Sequence, residues 1–178
     1  SVGTDEVQYV IPAAISELPS SVFSGCESLA EICFAHNSGL LKVSSNAFDG
    51  CSSLLEIDLP ESVTSIAGSA FRDCESLRRM SLPDGLTELP SSLFYGCSAL
   101  EEVELPANLT SIGEHVFRMS GLRSIMIPAS VTEIGKYAFT GSEKLESVTF
   151  EEGSSLTEIG DSTSSNIDGA FAECTALK

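Results

Sequence analysis

A short motif recurs along this chain, and its spacing limits what the chain can fold into. Phenylalanine followed three positions later by cysteine occurs as FSGC at 23–26, FDGC at 48–51, FRDC at 71–74, FYGC at 94–97 and FAEC at 171–174. Alignment on the phenylalanine gives seven equivalent positions: Phe23, Phe48, Phe71, Phe94, Phe117, Phe139 and Phe171. A unit of ~23 residues is too small to bury a core of its own, so successive units must stack. The spacing therefore predicts a solenoid.

Each unit contains a segment in which apolar residues alternate with polar ones. The pattern after the phenylalanine is Leu-x-x-aliphatic-x-apolar, for example Leu77, Met80 and Leu82, and a proline such as Pro83 often follows. Alternation with a period of two indicates a strand with one buried face, and proline ends it because it cannot donate to a ladder. The Ala-Phe steps, as at Ala70, favour a short helical turn. The predicted fold is an α/β repeat of about seven coils in a single domain spanning residues 1–178, with a parallel sheet on one face and short strands and helical turns elsewhere.

These motifs resemble a known repeat family. The Leu-x-x-Ile-x-Leu-Pro run, together with SVTSI and AFxxC, is similar to the leucine-rich repeats of the BspA-like subclass over about residues 9–177. Proline mostly replaces the asparagine that follows the strand in ordinary leucine-rich repeats, which favours this subclass. The resemblance implies a secreted or cell-surface protein with roles in adhesion, aggregation or binding of host or matrix proteins.

The cysteines follow the repeat. Five of the six occupy one repeat position, and Ser120 and Ser142 fill it in the fifth and sixth units. A thiol that performs chemistry has no reason to recur once per coil with serine as a substitute, so we interpret these side chains as small, buried and structural. Disulfides between neighbouring coils remain the alternative. Zinc is disfavoured, since the chain has no CxxC pair. Cys33 breaks the register and is predicted to point outward.

Composition narrows the class of partner. The chain has 26 acidic and 9 basic residues, a net charge of −17. This balance argues against binding to nucleic acid or to an anionic membrane surface, and no apolar run approaches the ~20 residues of a membrane helix. It fits a basic, cationic or metal-rich partner, or solubility alone. The sequence contains no nucleophile elbow, phosphate-binding loop or EF-hand, so we predict no catalytic, cofactor or metal site and no enzyme.

Solenoids bind through the side chains that their sheet turns outward. The predicted partner-binding residues are Glu31, Glu56, Asp58, Arg79, Glu102, Glu104 and Met126. The alternative is that these are solvated strand positions that protect an exposed sheet from aggregation. Two insertions, at 35–42 and 160–169, interrupt the period and are predicted to form surface loops, either functional or merely tolerated.

Two functions remain open at this stage. The first is a protein-interaction module, extracellular or at the cell surface, whose outward sheet face binds a host or matrix protein. The second is a structural or scaffold subunit of a larger intracellular or organellar assembly, in contact with a neighbouring subunit. No cap is visible at either end of the sequence, so we expect an excerpt of a longer array, with possible end-to-end self-association.

Overall fold

Each coil of the chain contributes two short strands, and each of these pairs in parallel with the equivalent strands of neighbouring coils. The structure is a computed structural model that describes residues 9–160 and 169–178. The segment in which apolar and polar residues alternate forms the first strand of each coil, because its apolar side chains face inward at every second position. These strands are β1 Tyr9–Ile11, β3 Glu31–Phe34, β5 Glu56–Ile57, β7 Arg79–Ser81, β9 Glu102–Glu104, β11 Ser124–Ile127 and β13 Ser147–Phe150. In the first six coils the aliphatic residue five positions before the next phenylalanine ends a second strand, and in the last coil the second strand ends at Ile159, twelve positions before Phe171. These are β2 Glu17–Leu18, β4 Lys42–Val43, β6 Ser65–Ile66, β8 Glu88–Leu89, β10 Ser111–Ile112, β12 Glu133–Ile134 and β14 Glu158–Ile159.

The two sets of strands build two sheets along the solenoid. In the first sheet the ladders are β1-β3-β5, β7-β9 and β11-β13, and in the second they are β2-β4-β6 and β8-β10-β12-β14. All pairs are parallel and in phase, so that Ile32 lies opposite Ile57 and Ile112 opposite Ile134. Equivalent residues of successive coils therefore line up in columns. The prediction of a leucine-rich-repeat solenoid with a parallel sheet and short strands elsewhere is confirmed.

The core is organised around one column of phenylalanine rings. Neighbouring ring centroids along the seven positions lie between 4.9 and 5.7 Å apart, with interplanar angles of 20° or less. Five of the rings are fully buried: Phe48, Phe71, Phe94, Phe117 and Phe139. Near-parallel rings at this separation are offset rather than directly eclipsed, which suits the quadrupoles of aromatic rings. Aliphatic columns from both sheets complete the interior.

The predicted helical turns are wrong, and so is the α/β class. Within residues 9–160 and 169–178 the structure contains no helix. The Ala-Phe steps lie instead in turns where the residues two before and two after the phenylalanine have positive φ, as at Asn46 (57°) and Gly50 (73°). The backbone N–H groups of these turns bond between coils: Phe48 N donates to Ala70 O at 2.8 Å. A helix would have satisfied the same groups within one coil.

The thiols also bond between coils. All six cysteines are free, and four donate a hydrogen bond from Sγ to the phenylalanine carbonyl of the preceding coil. The Sγ···O distances are 3.1 Å for Cys51–Phe23, 3.2 Å for Cys74–Phe48, 3.1 Å for Cys97–Phe71 and 3.1 Å for Cys174–Phe139. Ser142 makes the equivalent bond to Phe117 at 2.8 Å. The structural interpretation is confirmed for Cys51, Cys74 and Cys97, which are buried, whereas Cys174 is half-buried and Cys26 is exposed. Cys26 lies in the first coil, where no earlier phenylalanine offers it a carbonyl. Serine is an acceptable substitute because its hydroxyl is also a donor.

Candidate binding surface

The outward side chains of the first sheet form two columns. Their order follows from the register, in which Glu31 pairs with Glu56, Arg79 with Glu102 and Ser81 with Glu104. The first column contains Glu31, Glu56, Arg79, Glu102, Ser124 and Ser147, and the second contains Val10, Cys33, Asp58, Ser81, Glu104, Met126 and Thr149. All seven predicted partner-binding residues thus lie on one face. Six are exposed, Met126 to 60%, and Glu31 is half-buried.

In the C-terminal half of this face, acidic side chains are matched by neighbours. Arg79 Nε lies 3.4 Å from Glu102 Oε2, and Ser81 Oγ donates to Glu104 Oε2 at 3.2 Å. The residues that immediately precede these strands form a further column. It contains the exposed ion pairs Arg123–Glu101 at 3.7 Å and Lys178–Glu146 at 3.5 Å. Ion pairs at such exposure contribute little stability, but they balance the charge of this half.

The N-terminal half of this face differs in shape from the C-terminal half, because the insertion at 35–42 protrudes beside the sheet. A cleft of about 520 Å³ lies between residues 35–38 and the outer faces of β3 and β5. Its lining carries four carboxylates, Glu31, Glu56, Asp58 and Glu61, and among the described residues it includes no lysine or arginine. Cys33, which points outward as predicted, donates from Sγ to Glu31 Oε1 at 3.3 Å. The seven predicted partner-binding residues therefore lie on two different surfaces, an acidic cleft and a charge-balanced part of the sheet.

Sequence reasoning treated the insertion only as a candidate loop and did not place it beside the sheet. The sequence contained a signal for this position: the extra residues follow Phe34 directly, at the point where most other coils have proline. Ala35 N donates to Ile11 O at 2.9 Å and Gly39 N to Ala13 O at 3.1 Å, so the insertion is held against the preceding coil. In the second insertion, residues 161–168 lie outside the described part of the chain.

The carboxylates on these surfaces are spread out rather than gathered. In the part of the chain that the structure describes, no group of three or more His, Cys, Asp or Glu side chains is placed to hold a metal ion. The reason is the geometry of the columns: neighbouring strands are ~4.8 Å apart, and residues two apart on a strand are ~6.6 Å apart.

A third side of the solenoid, formed by the phenylalanine-bearing turns, carries a ladder of aromatic and cationic side chains that sequence reasoning missed. The Arg72 guanidinium lies 5.0 Å from the Tyr95 ring centroid, and that of Arg118 lies 5.8 Å from both Tyr95 and Tyr137. The His115 ring stacks on Tyr137 at 4.8 Å. Burial, with a further contribution from Arg118, lowers the pKa of His115. Asp73 beside Arg72 balances part of the positive charge, so this side is a packing ladder rather than a basic patch.

Exposed apolar side chains occur at both ends of the described solenoid. Tyr9 and Val10 are 50% and 57% exposed at one end, and Phe150 and Ile159 are 42% and 49% exposed at the other. End-to-end association through such surfaces stays a prediction. Of the described residues, none belongs to a helix with the length and hydropathy needed to cross a bilayer.

Comparison with known proteins gives consistent matches. The family model described as "BspA type Leucine rich repeat region" matches in six copies, over residues 5–120 and 41–178. A leucine-rich cell surface protein from Faecalibacterium prausnitzii A2-165 is 36% identical, with a TM-score of 0.77, over 80% of this chain and 38% of that one. The leucine-rich repeat protein of T. pallidum is 26% identical, with a TM-score of 0.82, over 97% of this chain and 78% of its own. This chain spans less than half of the Faecalibacterium protein. No curated protein matches it.

Proposed function

This chain belongs to the family of BspA-type leucine-rich repeat proteins, and on that premise we propose that it is a non-enzymatic protein-interaction module. It binds a protein partner through the outward face of the first sheet and acts outside the cell or at the cell surface, in adhesion or matrix binding. The similarity to a protein described as a leucine-rich cell surface protein supports this location.

One observation carries the proposal. The two outward columns of the first sheet present exposed polar and charged side chains at regular spacing on a rigid scaffold, and Met126 adds an apolar side chain that is 60% exposed. A scaffold whose coils are fixed by two sheets and a stacked aromatic column loses little conformational entropy when it binds. Such pre-organised, extended faces are the binding surfaces of repeat proteins.

A second function is favoured by the thiols. Six free cysteines are unusual for a secreted protein, because oxidising compartments convert thiols to disulfides. This observation supports a structural or scaffold subunit of an intracellular or organellar assembly, in contact with a neighbouring subunit.

Site-specific photocrosslinking tests the use of the first sheet. A benzophenone amino acid replaces Ser81 or Met126 on the first sheet, and Ser65, which is also exposed, on the second sheet as a matched control. The purified variants are illuminated with host-cell surface or matrix proteins and, separately, with lysate of the source organism.

We expect discrete crosslinked proteins from the first-sheet positions only. Crosslinks from matrix proteins favour adhesion, and crosslinks from the lysate favour the assembly subunit. Equal crosslinking from both sheets, or none from the first, would overturn the proposal.

A further inference from the structure

We propose that the acidic cleft, lined by Glu31, Glu56, Asp58 and Glu61, is the docking site for an extended basic segment of the protein partner, with lysine or arginine at alternate positions. This inference rests on the proposed function and specifies which part of the first sheet determines the partner. The occupant is a peptide segment in extended conformation that runs along β5.

The contrast between the two halves of the face is the first argument. In the C-terminal half, Arg79 lies beside Glu102 and Arg123 beside Glu101, so that half supplies its own counter-charges. The cleft has an excess of carboxylates, and among the described residues its lining offers His36 but no lysine or arginine. A partner surface that carries cations is therefore complementary to the cleft and not to the rest of the face.

The spacing of the carboxylates is the second argument. Glu56 and Asp58 are both exposed and lie two residues apart, ~6.6 Å along the strand direction. Alternate side chains of an extended peptide repeat at the same distance, so two cations at positions i and i+2 can face both carboxylates at once. Glu31, the register partner of Glu56, widens the acidic surface by one strand.

The apolar part of the lining suits the same occupant. Phe34, Ala35 and Pro60 are half-buried and line the cleft next to the carboxylates. Lysine and arginine carry three- or four-carbon stems that pack on apolar surface while the charged head reaches an acid. A mixed lining of this kind accommodates long basic side chains better than a compact cation.

The geometry also argues against a metal ion as the occupant. A hard cation such as Ca²⁺ needs several oxygen ligands within 2.3–2.6 Å. In the described part of the chain, no three acidic, histidine or cysteine side chains converge to that extent. Cations distributed along a peptide match a distributed set of carboxylates.

Fluorescence anisotropy with labelled peptides tests the inference. One peptide alternates lysine with serine, and a second has the same composition with its lysines contiguous. We expect the alternating peptide to bind several-fold more tightly, and the variant Glu56→Gln/Asp58→Asn to bind it roughly tenfold more weakly than the unmodified chain. The matched control Glu133→Gln/Glu158→Gln loses the same two charges from the second sheet and should bind normally.

Two results would overturn the inference: equal affinity for the two peptides, or equal weakening by the cleft variant and the control. The second result would indicate a response to net charge alone.

A photoreactive alternating peptide, crosslinked to the unmodified chain and located by mass spectrometry, provides a readout that needs no variant. We expect crosslinks within residues 31–62, and crosslinks elsewhere count against the cleft. A failure here with successful crosslinking of a protein at Ser81 or Met126 rejects the cleft alone, whereas failure of both rejects the proposed function.

Discussion

At the scale of single residues, one hydrogen bond accounts for the recurring cysteine. The thiol of Cys74 reaches back to the carbonyl of Phe48, and Cys97 repeats the contact one coil later with Phe71. A thiol is a weak donor that also behaves as a small hydrophobe, so it fits a site that is fully buried but has one acceptor. Burial raises the pKa of Cys51 to about 11 and also raises the pKa of Cys74 and Cys97. The recurring motif therefore maintains contact between coils.

Substitution at Cys74 should reveal the value of this bond. Cys74→Ser keeps a donor in place and should change the free energy of unfolding by less than about 1 kcal/mol. Cys74→Ala removes the donor and leaves a small cavity, so we expect a loss of about 1–2 kcal/mol. Urea denaturation followed by circular dichroism measures both. An alanine variant at least as stable as the serine variant would show that the hydrogen bond is unimportant.

The buried thiols also predict a loss of stability in alkaline solution. Their pKa is raised from 9.0 in the folded chain, so above about pH 9 the unfolded chain releases protons that the folded chain retains. Stability must then fall as pH rises, for Cys51 between pH 9 and about 11, by at most ~1.4 kcal/mol per pH unit for each thiol. The triple variant Cys51→Ser/Cys74→Ser/Cys97→Ser should lose most of this slope. Parallel stability curves for the two proteins between pH 8 and 10 would contradict the assignment.

At the scale of the structural elements, neighbouring coils differ in how closely their backbones approach each other just after the second strand. Gly113, just after β10, donates to Leu89 O at 2.9 Å, and a Cβ at Gly113 would lie 2.7 Å from that oxygen. The equivalent positions after β6 and β8 hold Ala67 and Pro90. The requirement for glycine is therefore local to the C-terminal coils and is not a property of the repeat.

We expect Gly113→Ala to destabilise the chain by about 1–3 kcal/mol, the usual range for overpacking. Its matched control is Gly169→Ala, where an added Cβ would meet no atom of the described residues within 4 Å, and this change should have an effect below about 0.5 kcal/mol. Thermal unfolding of the two variants measures the difference. Equal melting temperatures would mean that the β10 corner relaxes without cost.

The same elements show what sequence reasoning could and could not predict. The buried strand face of Leu77, Met80 and Leu82 could be predicted directly, because apolar residues with a strand's period of two mark the side that faces the core. The turns were mispredicted, since an Ala-Phe step is compatible with a helix and only the positive φ at Asn46 and Gly50 excludes it. The alternation also predicted correctly which side chains of the first sheet face outward. The cleft depends on where residues 35–38 lie in space, and column spacing does not determine that.

At the scale of the whole molecule, the columns bring like charges together. The outward column of the second sheet includes Glu133 and Glu158 as register partners in adjacent strands. The net charge is −17, and the ion pairs that oppose repulsion, such as Arg79–Glu102, are mostly exposed. Exposed pairs contribute at most ~1 kcal/mol each, whereas repulsion among many carboxylates acts on the entire folded surface. Electrostatics should therefore oppose folding of this chain at low ionic strength.

Salt should stabilise this chain as a result. Raising NaCl from about 20 mM to 300 mM shortens the screening length from roughly 20 Å to below 10 Å, which weakens repulsion between columns, so the urea midpoint at pH 7 should rise. Glu133→Gln/Glu158→Gln should begin with a higher midpoint at low salt and gain less from added NaCl. A midpoint that falls as NaCl is added would mean that the ion pairs beside the first sheet outweigh the repulsion, and the C-terminal half would then depend on its charges for stability.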